Sequence, residues 1–317
     1  RVVARLRAGH VYDLVHDVQC LGWGLLGLRT LGLPMVSTVH HPLSVDRRAS
    51  FARDVTLRDA IGTAQFYPLG MQACVARRMD RVLTSSAASG RDICRDFGVR
   101  PERLAVVANG LDTELFSPDP QSPREAREIL CVGRASDPNK GVTTLIAALA
   151  RLPGVRLTLV DDDTPGNEAR RLAHTLGCAD RLDLVGRVPT DRLVRLYRRA
   201  ALVVVPSRYE GFGLPAVEAM ACGTPVVASA AGALPEVMDR TQGGLLVPPD
   251  DAEALAKAVG SLLDQPETRR MLGERARPRV VEAYAWPRVA ARTTQVYRAV
   301  LEARRREAAA LARRARA

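Results

Sequence analysis

The sequence predicts an α/β protein of two doubly wound parallel-sheet domains, the first of them incomplete. Three observations predict it. Apolar strand-like runs alternate with helical patterns from end to end, as βαβ units require. Residues Ala201–Val205 are five consecutive apolar residues, the pattern of a parallel strand buried on both faces. The 317 residues suit one large domain or two ordinary ones, and the polar, Pro-rich stretch Ser117-Pro118-Asp119-Pro120-Gln121-Ser122-Pro123 interrupts the alternation.

In chain order, strands are expected at Asp13–His16, Met35–His40, Arg81–Thr84 and Leu104–Val107, with helices near 21–31, 64–79 and 86–97. The turn Asn109-Gly110-Leu111-Asp112 follows the last of these strands. Beyond the Pro-rich stretch, strands are expected at Ile129–Val132, Val155–Val160, Leu182–Val185, Ala201–Val205, Pro225–Ala228 and Gly244–Val247. The intervening helices are Lys140–Arg151, Glu168–Leu176, Asp191–Arg199 and one from Pro215. Helices at Ala252–Leu263, Glu267–Tyr284 and Pro287–Arg306 close the chain. The second domain, 121–285, is then a complete doubly wound unit. The first, 1–120, has about four strands and falls one or two βαβ units short. The opening at Arg1 reads as mid-helix, as a fragment or processed product would.

Composition narrows the function. The 46 basic residues against 35 acidic ones give a net charge of +11, which argues for an acidic partner. Only Lys140 and Lys257 are lysine; every other basic residue is arginine. Residues 304–317 hold six arginines and one acid, Glu307, so the excess concentrates at one end. That end reads as a solvated helix extension, with an anionic membrane surface as the sharper alternative. Aromatics at 4% disfavour a stacking platform for single-stranded nucleic acid. The six cysteines, Cys20, Cys74, Cys94, Cys131, Cys178 and Cys222, have no metal-site or disulfide-framework spacing and read as buried hydrophobes of a reduced compartment. Neither a signal peptide nor a membrane span is visible. The expectation is cytoplasmic, with peripheral contact at the inner face of the membrane as an option.

One constellation dominates. Arg208-Tyr209-Glu210-Gly211-Phe212-Gly213-Leu214-Pro215-Ala216-Val217-Glu218 follows the Ala201–Val205 strand directly. It lies at a carboxyl end, where open α/β sheets bind ligands. Gly211 and Gly213 allow close backbone approach, and a helix N-terminus offers free N–H groups to an anion. Glu210 and Glu218 could accept hydrogen bonds from ligand hydroxyls; the bland alternative is a glycine-rich turn with two solvated glutamates. Gly133-Arg134 and Asn139-Lys140-Gly141 reach the same edge. Arg134 would supply a fork and Lys140 a point charge for phosphate. Asp161-Asp162-Asp163 reads as a solvated turn and helix cap rather than a metal site. His40-His41 stands at a strand end without further ligands at metal spacing.

These residues carry a resemblance. The run E-G-F-G-L-P-A-V-E-A-M-A-C-G-T-P-V-V, with Glu210-x7-Glu218, resembles the retaining family 4 glycosyltransferases of GT-B fold. Gly133-Arg134, Lys140-Gly141, the Asn109–Asp112 turn, Gly232 to Glu236 and Ala285-Trp286 agree in order. The resemblance implies two Rossmann-like domains facing across a cleft, with the last helix, about 286–306, packing back on the first. It implies that Arg134 and Lys140 bind the diphosphate of a nucleoside-diphosphate sugar. Glu218 would take the ribose hydroxyls. Glu210 would contact the transferred sugar beside Gly133, Gly211, Phe212, Gly213 and Leu214, with His40 or His41 facing that sugar. No cofactor or metal is implied, and the acceptor (lipid, glycan or small metabolite) is open. Two features depart from the family pattern: Ala233 stands where a second glycine is common, and the N-terminal glycine-rich loop is absent. The competing readings are a non-catalytic nucleotide-sugar-binding remnant, a sugar-nucleotide epimerase and, least favoured, a nucleic-acid binder.

Overall fold

Two parallel sheets organise the chain. The computed structural model describes residues 5, 11–19, 21–40, 42–51 and 69–316. It divides into one unit of Arg1–Ala108 with Val289–Ala317, and a second of Asn109–Arg288.

The first unit has a four-stranded sheet in the order β1 (Val15–Val18), β2 (Met35–Thr38), β3 (Arg81–Thr84), β4 (Leu104–Val106). Its strands are all parallel. Helices α1 (Gly24–Arg29), α2 (Leu43–Phe51), α3 (Leu69–Ala76) and α4 (Ala87–Phe97) connect or follow them. Met35, Val75, Met79, Val82, Ile93 and Phe97 form its core. α4 shows how local sequence sets limits: the Ser86 hydroxyl accepts the Ser89 N–H at the start, and Gly98 adopts φ 65° at the end. β1 begins two residues later than the apolar pattern suggests, because Val15 pairs with Met35 and only the pairing register decides where a strand starts. α2 is an addition; its weakly amphipathic LSVDRRASF gives little periodic signal.

The second unit has a six-stranded, all-parallel sheet in the order β10-β9-β8-β5-β6-β7. The elements alternate: β5 (Glu128–Val132), α5 (Val142–Ala150), β6 (Arg156–Val160), α6 (Glu168–Thr175), β7 (Leu182–Leu184), α7 (Thr190–Arg199). Then come β8 (Leu202–Val205), α8 (Leu214–Ala221), β9 (Val226–Ser229), α9 (Leu234–Thr241), β10 (Gly244–Val247), α10 (Ala252–Leu263) and α11 (Pro266–Tyr284). All four residues of β8 are buried, as a central parallel strand requires. The chain winds outward from β5 to β7, then returns to lay β8 against the other side of β5. The direction of winding reverses there, so the loops after β5 and β8 diverge at the carboxyl edge and leave a crevice.

The division between units falls ahead of the Pro-rich stretch, which packs with the second unit. Arg277 donates to the Thr113 and Phe116 carbonyls at 2.7 Å each, and Arg198 to the Ser117 carbonyl at 2.7 Å. The Asn109–Asp112 turn meets Ala285-Trp286 directly: Leu111 N–H donates to Tyr284 O, and Trp286 N–H to Leu111 O. A Cβ on Gly110 would lie 2.2 Å from the Trp286 ring, so glycine is required for that approach. The final helix, α12 (Trp286–Arg314), starts in the second unit and continues in the first. There Val300 is buried with Val36 and Leu83, and Arg304 pairs with Asp80 at 2.9 Å. No helix among the described residues is long and apolar enough to cross a membrane.

Candidate functional site

The two switch-point loops of the second unit interlock around their glycines. After β5 the chain runs through Gly133-Arg134 into a single 3-10 turn, Pro138–Lys140. Asp137 caps that turn, its side chain accepting the Asn139 N–H at 2.9 Å. Gly141 takes φ 60°, and a Cβ there would lie 2.0 Å from the Pro206 carbonyl oxygen. Lys140 therefore closes a 3-10 turn instead of opening α5, which starts at Val142. Pro138 and left-handed Gly141 dictate this break. The Asn139 carbonyl in turn accepts the Arg208 N–H at 2.8 Å, tying the β5 loop to the β8 loop.

Glu210 sits where the loops meet. Lys140 Nζ donates to its two carboxylate oxygens at 3.0 and 3.3 Å, and Ser207 Oγ donates to Oε2 at 3.1 Å. The Glu210 side chain is only 12% exposed, against 29% for Lys140. The lysine stem lies over Gly133, whose missing Cβ would stand 3.4 Å from Lys140 Cβ. Behind Glu210 is the Gly232–Glu236 segment. A Cβ on Gly232, at φ 55°, would lie 2.2 Å from the Glu210 carbonyl oxygen. That same oxygen accepts the Ala233 N–H at 2.9 Å. Ala233 is fully buried, so a methyl fits at this position. Arg134 is exposed on the same loop, and its guanidinium makes no ion pair or hydrogen bond among the described residues.

α8 starts from Gly213 at φ 96°, with Leu214 first and Pro215 second, one residue earlier than the sequence pattern places it. Leu214 is 38% exposed at that N-terminus. Phe212 points the other way, buried edge-on against Tyr284 with ring centroids 5.3 Å apart, which leaves only its backbone for a ligand. Glu218, one turn into α8, accepts a hydrogen bond at Oε2 from the buried Tyr197 hydroxyl at 2.7 Å. Burial pushes the Glu218 carboxyl above its usual range, and the Tyr197 bond opposes that shift. Burial first, then the Glu218 charge, raises the Tyr197 phenol well above its usual range, so it stays a donor. Neither glutamate is a solvated turn residue.

The acidic turn after β6 also differs from expectation. Asp161 is buried, at 4% exposure. Its carboxylate accepts the Ala135 N–H at 2.8 Å, the Asn167 side-chain N–H at 2.9 Å and the Asp162 N–H at 2.7 Å. It is a strut holding the Arg134 loop, because a buried carboxylate must be filled with donors. Asn167, not an aspartate, caps α6. Asp162, half-buried, and Asp163, exposed, pair with Arg187 and Arg170. Among the described residues no cluster of His, Cys, Asp or Glu is arranged to hold a metal ion. Cys131, Cys178 and Cys222 are buried, Cys74 and Cys94 partly so, and Cys20 lies outside the described residues.

In the first unit His40 follows β2, half-buried, its N–H donating to Gln19 Oε1 at 2.9 Å and its carbonyl accepting from Ser85 Oγ. His41 lies outside the described residues. Sequence reasoning missed Tyr197, Ser207 and Asp161 as supports. Tyr197 stands in an amphipathic helix like any core aromatic, and only the fold brings it to Glu218.

Comparison with known proteins decides the family. Residues 112–279 match the family described as glycosyl transferases group 1, and residues 1–115 match glycosyltransferase family 4. The chain belongs to the group 1 glycosyltransferases. It is 43% identical over 300 residues to the MMP alpha-(1->4)-mannosyltransferase of Mycolicibacterium hassiacum, covering 93% of this chain and 72% of that protein. It is 34% identical over 278 residues to the D-inositol 3-phosphate glycosyltransferase of Acidothermus cellulolyticus, covering 80% of this chain and 60% of that one. Among solved structures, the sucrose-phosphate synthase of Thermosynechococcus elongatus superposes with a TM-score of 0.78 at 31% identity, over 95% of this chain and 77% of that one. HepE of Anabaena, solved in complex with UDP, gives 0.77 at 24% identity, over 94% and 82%, and is like it in fold. This group 1 glycosyltransferase is thus a transferase of GT-B type, built from two Rossmann-like units.

Proposed function

We propose that the chain transfers a hexose from a nucleoside-diphosphate sugar to an acceptor hydroxyl with retained anomeric configuration. The observation that carries this reading is the Lys140–Glu210 pair, held 12% to 29% exposed where the β5 and β8 loops meet, with the Tyr197-bonded Glu218 one turn into the helix that follows. Glu218 Oε2 is taken by Tyr197, which leaves Oε1 to accept ribose hydroxyls. The diphosphate lies against the α8 N-terminus, where Arg134, Lys140 and the positive end of the helix dipole neutralise it. Glu210 accepts hydroxyls of the transferred sugar.

The main barrier is loss of the diphosphate as the sugar gains oxocarbenium character. Positive groups fixed at the leaving phosphate lower it because they are aimed at charge that develops only in the transition state. A front-face route, in which the departing phosphate takes the acceptor proton, uses no protein nucleophile. His40 or His41 serves the sugar in this reading, and no metal or cofactor is required. The α linkage in the name of the Mycolicibacterium hassiacum relative makes α-linked mannosyl donors the first to test. The acceptor is left open, and a cytoplasmic location with contact to anionic membrane remains part of the proposal.

The test is turnover of a panel of uridine and guanosine diphosphate hexoses, with the product anomer read by NMR. Transfer with retention is expected, and Lys140→Ala should lower turnover about 10²–10³-fold with an unchanged Tm. An inverted product overturns retention. Donor binding without transfer to any acceptor supports the binding remnant, and near-normal turnover in the Lys140 variant overturns the site.

A further inference from the structure

Within the first unit, α12 has two unlike sides. One is seated on the sheet. Val289 and Val300 are buried, Val296 and Tyr297 pack in the cluster of Val36, Leu83 and Val300, and Arg304 pairs with Asp80 at 2.9 Å. These residues recur at helical spacing, so they share one face. The other side faces away from the sheet. Arg298 with Arg305, and Arg306 with Arg313, stand seven residues apart there and are all exposed. Ala299, Glu302, Ala309 and Ala310 lie between them, exposed as well. From Arg305 to Arg316 every residue is exposed, so about three turns of helix run past the sheet. Alanine, arginine and leucine are strong helix formers, which keeps that end helical without a packing partner.

Several arginines elsewhere in the chain are used up by the fold. Arg270 on α11 is clamped by Glu267 and Glu274, and Arg195 on α7 pairs with Asp191. At the amino edge of the second unit's sheet arginines cap helix C-termini: Arg124 donates to the Ala200 and Cys222 carbonyls, Arg277 to Ala221 and Arg269 to Leu262. The outer side of α12 is different. Arg298, Arg305 and Arg313 make neither an ion pair nor a hydrogen bond among the described residues. Arg306 approaches Glu302 only to 3.8 Å. Glu307 lies toward Arg304, at 3.6 Å, and not on this side. A helix C-terminus adds about half a negative charge, so Glu302 and the dipole leave these four guanidiniums an excess of roughly two and a half charges. Arg314 and Arg316 add to it at the same end.

The strip is straight and about 22 Å long from Arg298 to Arg313, at 1.5 Å per residue. Because α12 is embedded as far as Arg304, only one side of it is accessible there. A half-embedded helix cannot enter the major groove of a duplex, which admits a whole helix. It can lie along a flat surface. Alanines between the arginines let guanidinium forks reach phosphate oxygens unobstructed. We infer that the outer side of α12 docks on an anionic phospholipid bilayer through Arg298, Arg305, Arg306 and Arg313. The inference rests on the membrane contact included in the proposed function and gives that contact its surface. The strip has no large apolar side chain, so the contact is electrostatic and is screened by salt.

The test is sedimentation of the full chain with vesicles of phosphatidylcholine alone or mixed with phosphatidylglycerol. Binding is expected only to the mixed vesicles and should be lost at high salt. Near an anionic surface each arginine strengthens binding about fivefold. Arg305→Glu with Arg313→Glu should therefore weaken binding at least tenfold, while Tm and turnover on soluble substrates stay unchanged. Arg195→Glu with Arg240→Glu, the same charge change on exposed arginines of the second unit, should keep it. Equal loss in both pairs overturns the surface, because net charge alone then accounts for binding. Tighter binding to a DNA duplex than to the mixed vesicles, lost in the same α12 variants, overturns the choice of partner. Vesicle binding indifferent to the α12 variants overturns this surface and leaves membrane contact to another part of the chain. No vesicle binding overturns the surface and the membrane contact together. The proposed transfer reaction stands or falls separately, on turnover.

Discussion

The two edges of the second unit's sheet solve opposite electrostatic problems. At the carboxyl edge, helix N-termini point inward, and Lys140, half-buried in the loops, is matched by Glu210 at 3.0 Å. At the amino edge, helix C-termini converge, and arginines satisfy their carbonyls without any carboxylate. In the proposed reading a ligand phosphate replaces Glu210 as the lysine's counter-charge at the carboxyl edge. The amino edge holds most of its bonds in the fold itself. Damage at the first edge should therefore appear in turnover, and damage at the second in stability.

Gly141→Ala strikes hardest. A left-handed alanine facing the Pro206 carbonyl at 2.0 Å should cost about 2–5 kcal/mol, because strain and overpacking add. Thermal unfolding and turnover should both fall; loss of neither would mean the loops are not locked together as described. Arg277→Met sharpens the contrast. It strips hydrogen bonds from three carbonyls and should cost about 1–3 kcal/mol in urea unfolding while donor affinity stays unchanged. A fall in donor affinity at equal fold content would join the two edges into one site.

Tyr197→Phe is smaller, about 1–2 kcal/mol, and its signature is a pH profile. The bond from Tyr197 lowers the Glu218 pKa against the larger upward push of burial. A raised folded pKa means that Glu218 favours the folded state most below its unfolded pKa, and that this favour is lost as pH rises through the folded one. Donor binding, which needs the carboxylate, should weaken as pH falls through that raised value. In the phenylalanine variant the weakening should start at higher pH; an unshifted profile would remove Glu218 from the ribose role. Arg195→Ala, which breaks the exposed pair with Asp191, should leave Tm and turnover unchanged and serves as the baseline for arginine removal.

The alternation of apolar runs sufficed for the fold because parallel strands bury both faces and leave a pattern local enough to read. β3, buried from Val82 to Thr84, matches its expected limits for that reason. Strand β1 does not, since its start is set by pairing with Met35. The site divides along the same line. Glu210, Glu218, Arg134 and Lys140 could be picked out because glycines and charges flank them at fixed spacing. Tyr197, Ser207 and Asp161 could not, since each acts through a partner that only the folded sheet brings near. Asp161 misleads most: in a run of three acids it reads as a solvated turn, yet it is the buried strut of the Arg134 loop.

By itself, the sequence determined the element order, the switch-point loops and the residue types at the carboxyl edge, because periodicity and glycine placement are local properties. Which of those residues are paired, buried or free was decided by tertiary structure alone. So was the gathering of arginines at the amino edge: Arg124, Arg198, Arg269 and Arg277 come from distant segments. In the sequence they are four among many surface-typical arginines. The parallel sheet makes them neighbours, because it returns each helix C-terminus to the same side.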